Sequence, residues 1–177
     1  EAGQNDNTQC GGSAWYGARA CLALGARSRL ATAVGADFEH ELALAGLEVA
    51  ATRRGRTTTF HNRYLRGGRR EMRVLAQAQA VAPILDERWT RPDLAILLPV
   101  LGEVDLGAWQ RLLKPRVLAV GLQGWLKRKV RGRAVPDPSA VDPGDFAGVD
   151  LACLSEEDLG GDHRWYQALI EVVPIVA

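Results

Sequence analysis

A glycine pair, Gly11-Gly12, stands directly before an amphipathic stretch that runs from Ser13 to Gly25. Glycine has no Cβ, so a ligand can approach that backbone closely, and the first helical turn leaves N–H groups free to donate to hydroxyls or anions. A plain loop ahead of an ordinary helix uses the same residues. Other polar groups sit where strands are expected to end. Gln123, in Gln123-Gly124-Trp125, follows one candidate strand, the position where ligand-facing groups collect in open α/β sheets. Glu103 and Asp105 follow another, although acids that open a helix also simply complement its dipole. Ser155-Glu156-Glu157-Asp158 suits a reciprocal N-cap between Ser155 and Asp158. His40, His61 and His163 show neither metal-ligand spacing nor the pattern of a hydrolytic triad.

These groups need elements to hold them. Apolar residues at Ala14, Ala18, Cys21, Leu22 and Leu24 recur at helical spacing, Gly25 ends the pattern, and Leu30 to Val34 reads as a strand. Asp37 is expected to cap a helix over residues 38–45 that Gly46 stops, a role favoured over direct ligand contact. Between residues 47 and 76 the pattern turns to alternation, with strands from Leu47 to Thr52, Thr57 to Leu65 and Arg70 to Leu75, and a hairpin turn at Gly67-Gly68. Arginines on one face and apolar residues on the other describe a small sheet projecting from a larger body. From Pro92 onward, strands at Leu94 to Leu98, Val117 to Val120, Val149 to Leu154 and Val172 to Val176 alternate with helices or loops, which argues for a parallel sheet covered by helices. Leu106 to Leu113 is the clearest helix among them, while Arg131 to Gly148 reads as loop with one turn at Pro143 to Phe146.

The chain has 177 residues, 47% of them hydrophobic, enough for one main domain with a sizeable core. No apolar run is long enough to span a bilayer and no leader opens the sequence, so a cytoplasmic location is the expectation. Cys10, Cys21 and Cys153 are odd in number and lack Cys-x-x-Cys spacing, so they signal neither disulfides nor zinc. The formal charge is only +1, yet Arg53, Arg54, Arg56, Arg63, Arg66, Arg69, Arg70 and Arg73 face only Glu71 within their span, and a second basic run covers residues 127–133. Attraction for anions follows. Nucleic-acid binding is disfavoured, because neither run has interleaved aromatics or a reading helix.

In order along the chain, Gly11 to Gly25, Thr57 to Tyr64, Leu98 to Asp105, Gly121 to Trp125 and Leu154 to Leu159 resemble the ribokinase, or PfkB, family of carbohydrate and nucleoside kinases, over about residues 11 to 177. The resemblance implies a three-layer, Rossmann-like α/β fold with a mostly parallel sheet and a small β-sheet lid built from strands at about 47–76. In the family that lid covers the sugar and in some members forms a dimer surface, so a homodimer through the lid strands is implied here. The implied activity is ATP-dependent, Mg2+-assisted phosphorylation of a sugar or nucleoside hydroxyl. Gly11 and Gly12 match the family's substrate-binding glycine pair, and Gln123 matches its Gln-Gly pair. Tyr16 stands where many sugar kinases carry Asn, which favours stacking on a sugar face or nucleobase; a core aromatic is the competing reading. Asp158 takes the place of the acid of an Asn-x-x-Glu motif that helps position magnesium, with Ser155 for the Asn.

The family's catalytic Asp lies in a Gly-Ala-Gly-Asp turn that residues 1 to 177 do not contain, so no catalytic residue is assigned. The family's opening strand, with its sugar-binding Asp, is also not found. The chain is therefore expected to be part of one ribokinase-like domain, with the first strand and the C-terminal ATP-binding part lying outside it. A rival expectation, drawn from the altered Tyr16, Ser155 and Asp158 positions, is a non-catalytic ligand-binding or dimerisation protein on the same fold.

Overall fold

A computed structural model describes residues 8–66 and 70–177. The stretch after Gly12 folds as helix α1, Ser13–Ala23, and strand β1, Arg29–Val34, returns beside it. Strand β2, Glu48–Arg53, pairs with β1 in parallel, Arg29 opposite Glu48 and Val34 opposite Arg53. An antiparallel pair follows, β3 (Thr59–Tyr64) and β4 (Arg70–Ala76). The Gly67-Gly68 turn expected between them lies outside the described residues. A single-turn helix α2, Glu87–Thr90, is capped by Asp86 and leads into β5, Leu94–Leu97. Helix α3 (Leu106–Leu112) and strand β6 (Val117–Gly121) come next, then the hairpin β7 (Lys127–Val130) and β8 (Arg133–Pro136). Strand β9 (Leu151–Cys153), helices α4 (Glu156–Leu159) and α5 (His163–Ile170), and the short β10 (Ile175–Val176) complete the chain.

Three sheets result: a parallel one in the order β10-β9-β6-β5, the parallel pair β1-β2, and an antiparallel one in the order β3-β4-β8-β7. Alternation along β5 and β6 sends Ala95, Leu97, Leu118 and Val120 to one face, where they meet Phe146, Leu122, Leu126 and Leu169. The last four are sealed from solvent, and burying such side chains stabilises the fold by about 1.5–3 kcal/mol each. On the other face, Leu94 and Val117 form one cross-strand row and Ile96, Ala119, Leu151 and Ile175 another. Of these, Leu94, Ile96, Val117 and Ile175 remain 38–55% exposed.

The two parallel sheets run side by side. Arg29, at the start of β1, donates to the Arg88 carbonyl and lies 5.9 Å over the Trp89 ring, on the turn just before β5. Helix α1 packs against both β1 and β5. Each of these two strands is paired along one edge only among the described residues.

Several expectations need correction. Residues 47–52 were expected in the lid sheet, but β2 pairs with β1: its interior positions are half-buried without alternation, so only the long-range pairing decides its partner. The sheet of β3 and β4 is completed instead by β7 and β8, so within the 131–148 stretch expected to be mostly loop residues 133–136 are strand, while the turn expected at Pro143 to Phe146 is present as a 3-10 turn. The helix expected over 38–45 is a single 3-10 turn, Glu41–Leu44. Asp37 does not cap it. Its carboxylate turns to Thr57, accepting from the backbone N–H at 2.7 Å and the hydroxyl at 2.8 Å.

Candidate functional site

The short link from α1 into β1 makes the helix run antiparallel to the strand, so Gly11 and Gly12 lie towards the ends where β1 and β5 finish. Leu98, just after β5, fixes how closely these ends come together. A Cβ on Gly17 of α1 would stand 2.9 Å from Leu98 Cδ1, and one on Gly121, at the end of β6, would stand 2.6 Å from Leu98 Cδ2. A side chain at either position would push the Leu98 methyls aside. One turn further on, Gly124 lies flat against the Pro99 carbonyl, which presses the 3-10 turn Leu122–Gly124 onto the segment after β5. The helix start and the turn that carries Gln123 thus flank one short segment, Leu98-Pro99-Val100.

At the helix start, Gly12 has φ 96°, a backbone conformation that other residues rarely adopt, and open space surrounds the position of its missing Cβ. Tyr16 is 60% exposed, so the reading of it as a core aromatic fails. Its ring edge meets Trp15 at a centroid distance of 4.7 Å, and Cε2 lies 4.0 Å from where a Gly11 Cβ would be. Trp15 Nε1 in turn donates to the Ala43 carbonyl at 2.9 Å, which ties the helix to the 3-10 turn. Gly11, Gly12 and Tyr16 therefore form one exposed corner with a ring on its flank. Gln123 is half-buried, and among the described residues its side-chain amide forms no hydrogen bond. A donor and an acceptor stay available there.

The acids have structural duties. Glu103 accepts from the N–H groups of Val100 and Leu101, both at 2.7 Å, and holds the loop after β5 in shape. Asp105 caps α3 through the Ala108 N–H at 2.9 Å, as the helix-dipole reading expected. Asp37 is held below the usual carboxylate range, chiefly by the Thr57 hydroxyl and then by the Thr57 N–H. Asp158 is 3% exposed, and both its oxygens are engaged. Oδ2 accepts from Ser155 N–H at 2.9 Å and from Ser155 Oγ at 2.7 Å, while Oδ1 faces Lys127 Nζ at 2.8 Å. Burial pushes its pKa up, but the Lys127 ammonium and the Ser155 donors outweigh that and leave it lowered. A cation would have to displace a buried ammonium to reach this carboxylate, so the metal role expected of Asp158 does not fit. Among the described residues no group of three or more His, Cys, Asp or Glu side chains is placed to hold a metal ion.

Sequence reasoning missed Leu98 and Lys127. The small residues at 17, 121 and 124 were the available signal for a close approach around Leu98, whereas nothing local marks the partner of Lys127. A shallow groove of ≈ 480 Å³ lies away from all these residues, along β2, lined by Glu41, Leu44, Val49 and Arg53.

No protein-family model and no curated protein matches the sequence. Solved structures do match by shape. One is a pyrophosphate-dependent myo-inositol-1 kinase converted into a myo-inositol-3 kinase, with a TM-score of 0.76 and 16% identity over 97% of this chain and 64% of that one. Another is a pyrophosphate-dependent kinase in the ribokinase family, complexed with a pyrophosphate analog and myo-inositol, with a TM-score of 0.70 and 18% identity over 88% of this chain and 58% of that one. The chain thus spans about 60% of the length of the solved structures it matches. The likeness shows the fold: this chain is an α/β structure of the shape found in ribokinase-family kinases.

Proposed function

We propose that this chain is the acceptor-holding part of a ribokinase-like kinase, which transfers a phosphoryl group to a hydroxyl of a sugar, a nucleoside or a cyclic polyol. The observation that carries this reading is the packing of Leu98 between Gly17 and Gly121, which brings the Gly11-Gly12 helix start and the Gln123 turn to one set of strand ends. In this reading the N–H groups after Gly12 and the Gln123 amide hold hydroxyls, and the Tyr16 ring covers an apolar face of the acceptor.

The donor in this reading is a phosphoanhydride. ATP is what the family resemblance implies, and pyrophosphate is what the similar solved structures use. No catalytic base is assigned within residues 1 to 177. No step is routed through a metal at Asp158.

The test is a thermal-shift screen of this chain against myo-inositol, ribose, fructose and nucleosides, each with and without pyrophosphate or ATP. A ligand that binds only the native state raises Tm by mass action. The reading expects a shift with at least one polyhydroxyl compound, lost in Gln123→Ala. No shift with any acceptor would overturn it.

A further inference from the structure

The solvent face of the lid sheet carries charge that its surroundings do not neutralise. Register places His61 opposite Arg73, and Arg73 opposite Arg133, in one row across β3, β4 and β8. Two residues along, on the same face, Arg63 stands opposite Glu71. All four basic residues are exposed. Glu71 reaches Arg133 at 3.6 Å and, among the described residues of β3, β4 and β8, is the one acid on this face, so Arg63, Arg73 and Arg133 share its carboxylate. Like charges directly opposite on neighbouring strands destabilise a sheet. Arg131 adds to the field from the β7-β8 turn, where it holds φ 47°, a left-handed conformation that glycine or asparagine adopts at less cost. Arg128, by contrast, is neutralised by Asp137 at 2.6 Å. With a net charge of only +1, the chain concentrates positive potential here rather than spreading it.

Two kinds of occupant are disfavoured by this chemistry. A second copy of the same face would bring arginine against arginine, which argues against a homodimer through this side of the lid. Sequence-tolerant binding of single-stranded nucleic acid relies on exposed rings on which bases stack. The exposed Tyr64 pairs with Arg70 in register and so points to the opposite side of the sheet, which leaves His61 as the one ring on this face among the described strand residues. A flexible chain of phosphates without bases needs no such rings. Adjacent strands stand about 4.8 Å apart, so Arg73 and Arg133 present neighbouring guanidinium groups across the strands.

We propose that the solvent face of the lid sheet, built on Arg63, Arg73 and Arg133 with Arg131 at its edge, is a docking surface for linear inorganic polyphosphate. The proposal does not depend on the kinase reading.

The test is fluorescence anisotropy of the 177-residue chain with labelled polyphosphate, with poly(U) of matched charge as competitor, over a salt series. Arg73→Gln combined with Arg133→Gln should weaken polyphosphate binding about ten-fold and lower the salt slope by about two, the counterions of two phosphate contacts. Arg131→Gly removes a charge while relieving backbone conformation. It should weaken binding about two- to three-fold with Tm unchanged or raised, which keeps the test valid if the double variant folds poorly. Equal polyphosphate affinity in wild type and Arg131→Gly, or no binding at low salt, would overturn the proposal. Tighter binding of poly(U) than of polyphosphate would overturn it in favour of a nucleic-acid surface.

Discussion

Lys127 Nζ lies 2.8 Å from Asp158 Oδ1, with both side chains almost fully buried, and so ties strand β7 to helix α4. Removing one partner of a buried pair strands the other charge. Asp158→Ala should therefore destabilise the fold by about 3–5 kcal/mol, whereas Lys127→Met with Asp158→Leu should cost only about 0.5–2 kcal/mol, the loss of the Ser155 cap. Urea unfolding of the two variants separates the outcomes. Chelation by EDTA should leave the wild-type midpoint unchanged, since the same carboxylate serves a lysine and a serine.

Gly121 and Leu98 give a second prediction. Gly121→Ala places a methyl 2.6 Å from Leu98 Cδ2, and such overpacking costs about 1–3 kcal/mol. Combining it with Leu98→Ala should recover part of that loss, as a double-mutant cycle would measure.

The carboxylates at the surface set a pH dependence. Thr57 lowers the Asp37 pKa, and Asp86 is lowered to about 2 by the Arg88 guanidinium and N–H. A lowered folded-state value means that the stabilisation is fully present above the unfolded carboxylate pKa and is lost as pH falls through the folded value. Wild type should therefore exceed Asp86→Asn in urea midpoint at about pH 6, and the gap should close between about pH 4 and pH 2. Asp37→Asn should behave likewise. A gap that persists at the acid end would show that these carboxylates act through something other than charge.

At the proposed acceptor corner, stability and binding should separate. Gln123→Ala and Tyr16→Ala touch a half-buried amide and an exposed ring, so each should shift stability by no more than about 0.5–1 kcal/mol. Each should nonetheless abolish or halve any ligand-induced rise in Tm. A variant that keeps the full rise removes that residue from the acceptor site.

Much of the parallel body was legible because its signal is local. Helical spacing from Ala14 to Leu22 marks α1, and the apolar runs at 94–98 and 117–120 mark β5 and β6 within a residue. The β7-β8 hairpin escaped notice because Lys127, Arg128 and Lys129 hide the alternation, and because Arg131-Gly132 looks like loop when read alone. Partner choice is not local at all. The pattern of β2 satisfies either orientation, and only its long-range pairing with β1 decides which. Asp158 shows the same limit: a carboxylate three residues after Ser155 serves a cap or a cation equally well until Lys127 arrives from another sheet. The exposure of Tyr16, likewise, depends on how Trp15 turns towards Ala43.

Among the described residues, the one-sided pairing of β1 and β5 leaves two rows of backbone donors and acceptors open to an extended peptide that comes near. Such rows recruit β-strands with little regard for sequence, and the greasy rungs Leu94 and Ile96 beside one of them strengthen the pull. Solutions of this polypeptide should therefore cloud as concentration rises. A short β-branched peptide supplied in trans should hold them clear.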